Sequence, residues 1–241
     1  MNIIPIDTVA STNVYLKELA RKQLLDEGTV IVTRNQTEGK GQRGNAWESE
    51  AGKNITCSIL LYPSFLSIHR YFLLSEAIAL GVKETLDFYT RGISLKWPND
   101  VYHDERKIAG ILIENELMGN KYHSSVVGIG VNVNQERFLS NAPNPISLKQ
   151  ITGLYHDKEV LLNELVQKIL YRYEQLKAGN TESLIGMYHE GLYHKTGFHR
   201  YEDNEGIFFA RIDRVSDDGF LHLVTDRNEE RNYAFKNVRF L

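Results

Sequence analysis

Lys96-Trp97-Pro98-Asn99-Asp100, followed after residues 101–106 by Lys107-Ile108-Ala109-Gly110-Ile111-Leu112-Ile113-Glu114, is the most informative stretch of this chain. The second block reads as a strand, because aliphatic and β-branched residues dominate it. Period-two alternation puts Lys107, Ala109, Ile111 and Ile113 on one face. A lysine leading an apolar face is either the solvated end of a strand or a cation held beside a site, and the residues alone leave both readings open. Strands are expected near 93–102, 106–117 and 124–133, with His103-Asp104-Glu105-Arg106 as the turn between the first two. The third strand carries Gly128-Ile129-Gly130-Val131-Asn132-Val133-Asn134. Two glycines inside a strand imply close approach by a neighbour or a ligand. Asn132 brings an amide to that place. Glu114 and Glu116 read as the solvated end of their strand.

Toward the N-terminus lies a second signal. Gly39-Lys40-Gly41-Gln42-Arg43-Gly44-Asn45-Ala46-Trp47 combines glycines, which let backbone N–H groups approach an anion, with two cations and a terminal indole. The whole segment 36–52 is expected to be a long loop, and long loops in compact domains are usually functional or disordered. It is not a P-loop, since Gly-x-x-x-x-Gly-Lys-Ser/Thr is absent. Gly39-x-Gly41-x-x-Gly44 has dinucleotide-type spacing, but no amphipathic helix follows it. Before the loop, Ser11 is placed to cap a helix over 12–25, and Thr29-Val30-Ile31-Val32-Thr33 reads as a buried strand. After it come a strand at 54–62 and a helix over about 68–89.

Toward the C-terminus, Asp157 is placed to cap a helix over 158–178, whose stripe of Leu162, Leu165, Val166, Ile169, Tyr173 and Leu176 faces a core. A shorter helix starts at Thr181. Beyond residue 192 the texture changes to short strands near 206–215, 219–225 and 231–235, with turns at Asp217-Asp218-Gly219 and Asp226-Arg227-Asn228. These divide the chain into a body over 1–192 and a small β-barrel over 193–241. His189, His194 and His199 recur every five residues, a spacing that suits no zinc pair.

The 241 residues, 42% hydrophobic and 24% charged, are ordinary for a globular protein. The net charge of −3 gives no general attraction to nucleic acid or anionic membranes. No apolar run reaches membrane-spanning length, and the first ten residues do not read as a secretory signal. Cys57 is the only cysteine and sits in an apolar run, where a buried inert thiol is expected. A cytoplasmic protein is expected.

Taken together with Ser11-Thr12-Asn13, these three segments resemble the biotin–protein ligase family over nearly the whole chain. The block from Lys96 to Asp100 and on to Gly110 and Leu112 is the most specific match. The resemblance implies an α+β fold: a mixed β-sheet with packed helices like the catalytic fold of class II aminoacyl-tRNA synthetases, plus a C-terminal SH3-like β-barrel. Some members carry an N-terminal helix-turn-helix. Here Ser11-Thr12-Asn13 comes almost at the start, so the ligase-only form is expected. The implied reaction joins biotin and ATP into biotinyl-5'-adenylate, with magnesium on the triphosphate. The biotin then passes to a lysine of the biotin carboxyl carrier domain of a carboxylase. The resemblance leaves a homodimer open.

By position, Ser11, Thr12, Asn13 and Gln36 resemble residues around the ureido ring of biotin, which needs both donors and acceptors. Gly39, Lys40, Gly41 and Gln42 resemble the segment closing over its carboxylate. Gly110 resembles the residue whose missing side chain lets the ligand lie against the strand. Lys107 resembles the lysine that contacts carboxylate and α-phosphate. Trp47 resembles the adenine-stacking residue, and Asn99, Asp100 and Asn132 the nucleotide side, with Asp100 the candidate magnesium ligand. The chain departs from the family at Gln42 and Asn45, where many or some members have arginine. Arg43, helped by Lys40, is expected to replace the missing clamp. A lipoate–protein ligase, a vitamin- or nucleotide-binding protein without activity, and a transcription regulator are the competing readings. Polar Thr12 and Gln36 suit a ureido ring better than a dithiolane, and the presence of Asp100 and Lys107 argues for activity.

Overall fold

The computed structural model describes residues 2–140 and 143–241, without the side chain of Arg43. Its larger sheet is built from β1 (Ile3–Val9), β2 (Val30–Gln36), β3 (Ile55–Leu61), β4 (Ile93–Lys96), β5 (Asp100–His103), β6 (Arg106–Met118) and β7 (Lys121–Val131). The strand order is β1-β2-β3-β7-β6-β5-β4. Only β1 and β2 run parallel, joined through helix α1 (Thr12–Lys22); every other neighbouring pair is antiparallel. This is the mixed sheet expected from the sequence.

Alternation explains why β2 and β3 read as unbroken apolar runs. Val30, Ile59 and Val127 join the main core with α2 (Phe72–Asp87) and α4 (Lys158–Lys177). Ile31, Leu60 and Val126 face the other way, onto Leu16 of α1. A strand covered on both faces needs no polar side, and all seven residues of β3 are buried. Cys57 belongs to this core, where burial pushes its thiol up to about 12, the inert state expected for it. Asp157 caps α4 by accepting from Glu159 N and Val160 N. The remaining helices are α3 (Leu148–Thr152) and α5 (Thr181–Glu190). No helix among the described residues is long and apolar enough to cross a membrane.

Several expectations need correction. The strand expected over 93–102 is two strands, β4 and β5, paired with each other around the turn at 97–99. Pro98 lacks the N–H a continuous strand would require there, and the Trp97-Pro98 peptide is cis. Helix α1 ends at Lys22 rather than near 25. Ser11 holds its N-cap position without a side-chain capping bond; the N–H of Thr12 is instead taken by Gln36 Oε1 at 2.9 Å. The 36–52 segment is a loop with internal structure: β2 runs through Gln36, Lys40 bridges Ala46, and a 3-10 turn spans Gln42–Gly44. Glu114 is not a solvated strand end. It pairs with Lys17 at 2.5 Å and accepts from Asn13 Nδ2 at 2.7 Å, while Glu116 takes Arg21 at 3.0 Å.

The C-terminal strands β8 (His199–Asp203), β9 (Gly206–Val215), β10 (Leu221–Thr225), β11 (Glu230–Tyr233) and β12 (Arg239–Phe240) form a second, antiparallel sheet in the order β11-β10-β9-β8-β12. Its β9–β10 turn docks on the body. Asp217 O accepts from Phe72 N at 3.1 Å, its carboxylate pairs with Arg70 at 2.6 Å, and Gly219 O accepts from Trp97 Nε1 at 3.0 Å. His189 bonds the backbone of Val215, whereas His194 and His199 stack on each other at 3.8 Å.

Candidate functional site

The site lies on the α1 side of the larger sheet, in a cavity of about 550 Å³. Its floor is the pair Gly110 and Gly130, directly opposite each other on β6 and β7. The Trp47 indole lies on that floor. A Cβ on Gly130 would stand 2.3 Å from Trp47 Cε2, and one on Gly110 2.9 Å from Trp47 Cζ3. The glycines are therefore explained by close approach, but the approaching group is a side chain of the glycine loop itself. Gly110 was expected to make room for a ligand, and in this structure the indole takes up part of that room.

Lys107 reaches the same floor through an irregularity. Strict alternation would send it to the face of Ala109, away from Gly110. The β5–β6 register shifts here, with Val101 opposite Ala109 and Tyr102 opposite Lys107. Ile108 is the extra residue, so Ile108 and Ala109 are consecutive and both fully buried. A bulge re-aims the residues beyond it. Lys107 Cε consequently sits 3.3 Å from where a Gly110 Cβ would be. Its Nζ pairs with Asp100 at 2.6 Å and lies 5.5 Å from the Trp47 ring centre. The expected common face of Lys107, Ala109, Ile111 and Ile113 is thus broken at its first member.

At the other end of the cavity the N-terminus of α1 supplies polar groups. Gln36 Oε1 accepts from Thr12 N at 2.9 Å and lies 3.2 Å from its hydroxyl. Ser58 Oγ lies 2.7 Å from Thr12 Oγ1 and 2.6 Å from Asn13 Oδ1. Asn13 also donates to Leu112 O, at 3.2 Å, and packs where a Gly128 Cβ would stand 2.4 Å from its Oδ1. Gly128 is what lets α1 sit this close to the sheet. Burial opposes ionisation of Glu114, but the hydrogen bonds from Lys17 and Asn13 outweigh it and hold its carboxyl below the usual range.

Of the residues singled out in the sequence, Ser11, Thr12, Asn13, Gln36, Lys40, Gly41, Gln42, Trp47, Asn99, Asp100, Lys107 and Gly110 line this one cavity. Asn99 reaches it while its Nδ2 donates to Ile111 O at 2.9 Å. Gly39 does not line it; a Cβ there would meet Trp47 O at 2.3 Å, so this glycine serves the packing of the loop on itself. Asn132 does not line it either. It is buried beneath Lys107, its Nδ2 donating to Ile146 O at 3.1 Å. The Arg43 side chain lies outside the described residues.

Sequence reasoning missed three contributors. Ser58 is a polar break in an apolar strand, a signal that was available. Lys96 lines the cavity, its Nζ 4.5 Å from the centre of the Tyr102 ring and 5.3 Å from that of Phe240. Burial holds its ammonium below the usual lysine range, against the pull of Asp100 and Glu105. The third is the second sheet, which brings Phe235, Lys236, Val238, Arg239 and Phe240 to the wall. No local pattern could show that, because it depends on how the sheet docks. The arrangement offers a polar end rich in donors and acceptors, a flat glycine and indole middle, and a cationic end carrying one carboxylate. Among the described residues no group of three or more His, Cys, Asp or Glu side chains could hold a metal ion.

Residues 6–132 match the model of the biotin/lipoate A/B protein ligase family. The chain is 27% identical over 242 residues to the bifunctional ligase/repressor BirA of Bacillus subtilis, covering 97% of this chain and 72% of that protein. It is 32% identical over 168 residues to a biotin–[acetyl-CoA-carboxylase] ligase of Paracoccus denitrificans, covering 64% of this chain and 66% of that one. Among solved structures, the biotin protein ligase of Aquifex aeolicus in complex with biotin and ATP is similar at a TM-score of 0.80 and 26% identity, over 100% of this chain and 99% of that one.

Proposed function

The chain belongs to the biotin/lipoate A/B protein ligase family, and we propose that it is an ATP-dependent biotin–protein ligase. The observation that carries this reading is that the hydroxyl and amide of Thr12 and Gln36, with Ser58 bonded behind Thr12, open onto the same cavity as the Lys107–Asp100 pair. A ureido ring needs both donors and acceptors, and the first cluster has them. A dithiolane offers no such hydrogen bonds to Thr12 and Gln36, which line that end of the cavity, and this favours biotin over lipoate. Lys107 provides fixed positive charge where two anions must meet.

In the first step the biotin carboxylate attacks the α-phosphorus of ATP, the acyl-phosphate bond forms, and pyrophosphate leaves. In the second a neutral carrier lysine amine attacks the acyl carbon, an amide forms, AMP leaves and the amine's proton is released. The protein's part is positioning and charge stabilisation. Thr12 and Gln36 hold the ring end, Lys107 offsets the repulsion between carboxylate and phosphate, and Trp47 presents its indole to the base. Gln42 stands in the loop where many members have arginine, and Lys40 on the cavity wall takes over that charge. Among the described residues Asp100 is the one acidic side chain on the wall. That donor set fits magnesium, which is commonly held by one or two carboxylates and the substrate's own phosphates; when bound it neutralises the triphosphate. The carrier domain of a biotin-dependent carboxylase is the acceptor.

The direct test of the first step is isotope exchange between pyrophosphate and ATP. Exchange is expected with biotin and not without it. Exchange driven as well by lipoate or octanoate would contradict the assignment of the polar end.

A further inference from the structure

The glycine loop is tied to the rest of the site by one carboxylate. Glu48, next to Trp47, accepts from Leu139 N at 2.9 and 3.1 Å, from Ser140 N at 2.7 Å and from Gln135 Nε2 at 3.0 Å. Gln135 is 1% exposed, and its Oε1 accepts from Glu50 N at 3.0 Å and from Asn54 Nδ2. Asn54 Oδ1 in turn accepts from Val133 N at 3.0 Å. Three pieces of chain therefore meet here: the end of the glycine loop, the end of β7, and the segment 136–140. Leu139 is 90% exposed, Glu136 is anchored by Lys149 and Gln150, and Arg137 O accepts from Gln135 Nε2 at 2.8 Å. Further along the same chain, Asn144 O accepts from Lys107 N at 2.8 Å and Ile146 N donates to Lys107 O at 2.9 Å. Residues 144–146 thus lie along the backbone of Lys107.

We infer that Glu48 is a positioning residue: by gripping the backbone of 139–140 and the side chain of Gln135, its carboxylate holds the Trp47 indole on Gly110 and Gly130. Hydrogen bonds to an ionised acceptor are the strong ones, roughly twice the neutral kind. Burial opposes ionisation of Glu48, but the donors of Ser140, Leu139 and Gln135 hold its carboxyl below the usual range. Without it segment 139–140 loses its ionic partner, and Trp47 is left with the backbone bond of its own N–H to Gly39 O, at 2.9 Å, and the contact of its indole with Gly110, Gly130 and Lys107. The consequence for the reaction rests on the proposed function, in which Trp47 meets the nucleotide.

The test uses Glu48→Ala and Glu48→Gln in the whole protein. Trp97 is 4% exposed and hydrogen-bonded, so acrylamide quenching of the two tryptophans reads mainly Trp47. Glu48→Ala is expected to raise quenching without ligand and to raise the KM for ATP about tenfold, the effect of losing a charged hydrogen-bond set, with kcat nearly kept. Glu48→Gln keeps an acceptor oxygen without the charge and is expected to fall between; it carries the test if the alanine variant does not fold. Unchanged quenching and unchanged KM in both variants would overturn the inference. So would unchanged quenching with a loss of kcat that follows thermal stability, which marks a merely structural carboxylate. If the parent forms no adenylate, the proposed function fails, and the quenching arm still decides the role of Glu48.

Discussion

Lys107 and Asp100, 2.6 Å apart on the cavity wall, set what the site does to charge. The adenylation step brings a carboxylate to a phosphate, and a preorganised cation there stabilises the charge without reorganising at the moment of reaction. Removing such a donor commonly costs about 10²–10³ in rate. Lys107→Ala is expected to lose adenylate formation by at least about that factor, with its circular dichroism unchanged. A folded variant with near-normal adenylation would make Lys107 an ordinary strand-end lysine. At this scale the sequence was informative because each special residue interrupts a pattern: glycines within a strand, a lysine heading an apolar run. It was misleading where backbone irregularity decides. The extra residue at Ile108 turns Lys107 onto the Gly110 side, and no count of alternation foresees a bulge. Asn132 and Gly39 look like ligand contacts in the sequence, yet one supports the Ile146 backbone and the other the loop.

Helix α1 presents the polar end of the cavity, and its position depends on β6. Asn13 and Lys17, one turn apart, both reach Glu114, and Arg21 reaches Glu116. These contacts carry a pH dependence with a definite sign. The folded-state pKa of Glu114 lies below its ordinary value of 4.5. The stability it contributes is therefore fully present above pH 4.5 and is lost as the pH falls through the lower folded value. Biotin binding is expected to weaken over that acid window in the parent, and Glu114→Gln is expected to flatten the dependence while weakening binding at neutral pH. An identical acid profile in the variant would show that Glu114 does not govern the placement of α1. Most elements were legible because hydrophobic period and caps coincide, as in α4 with Asp157 and its apolar stripe. Strand β1 was not, since its exposed edge and Pro5 leave no alternation to read, and β8 and β12 are short strands defined mainly by their partners.

The whole molecule completes its site by docking one sheet against another. Trp97 links the two: its indole donates to Gly219 O and packs edge-on against Phe235, 6.2 Å away, while Phe235 to Phe240 close the cavity wall. The presence of a small C-terminal β-unit was legible from its short strands and turns. Its role as a wall was not, because docking is decided by contacts across more than a hundred residues of sequence. The most direct measurement supplies the whole protein with labelled biotin, ATP, magnesium and a biotin carboxyl carrier domain, and reads label on the carrier. Label is expected on one carrier lysine, dependent on ATP and abolished when that lysine is replaced by arginine. Transfer of lipoate or octanoate at a rate equal to or greater than that of biotin would contradict it.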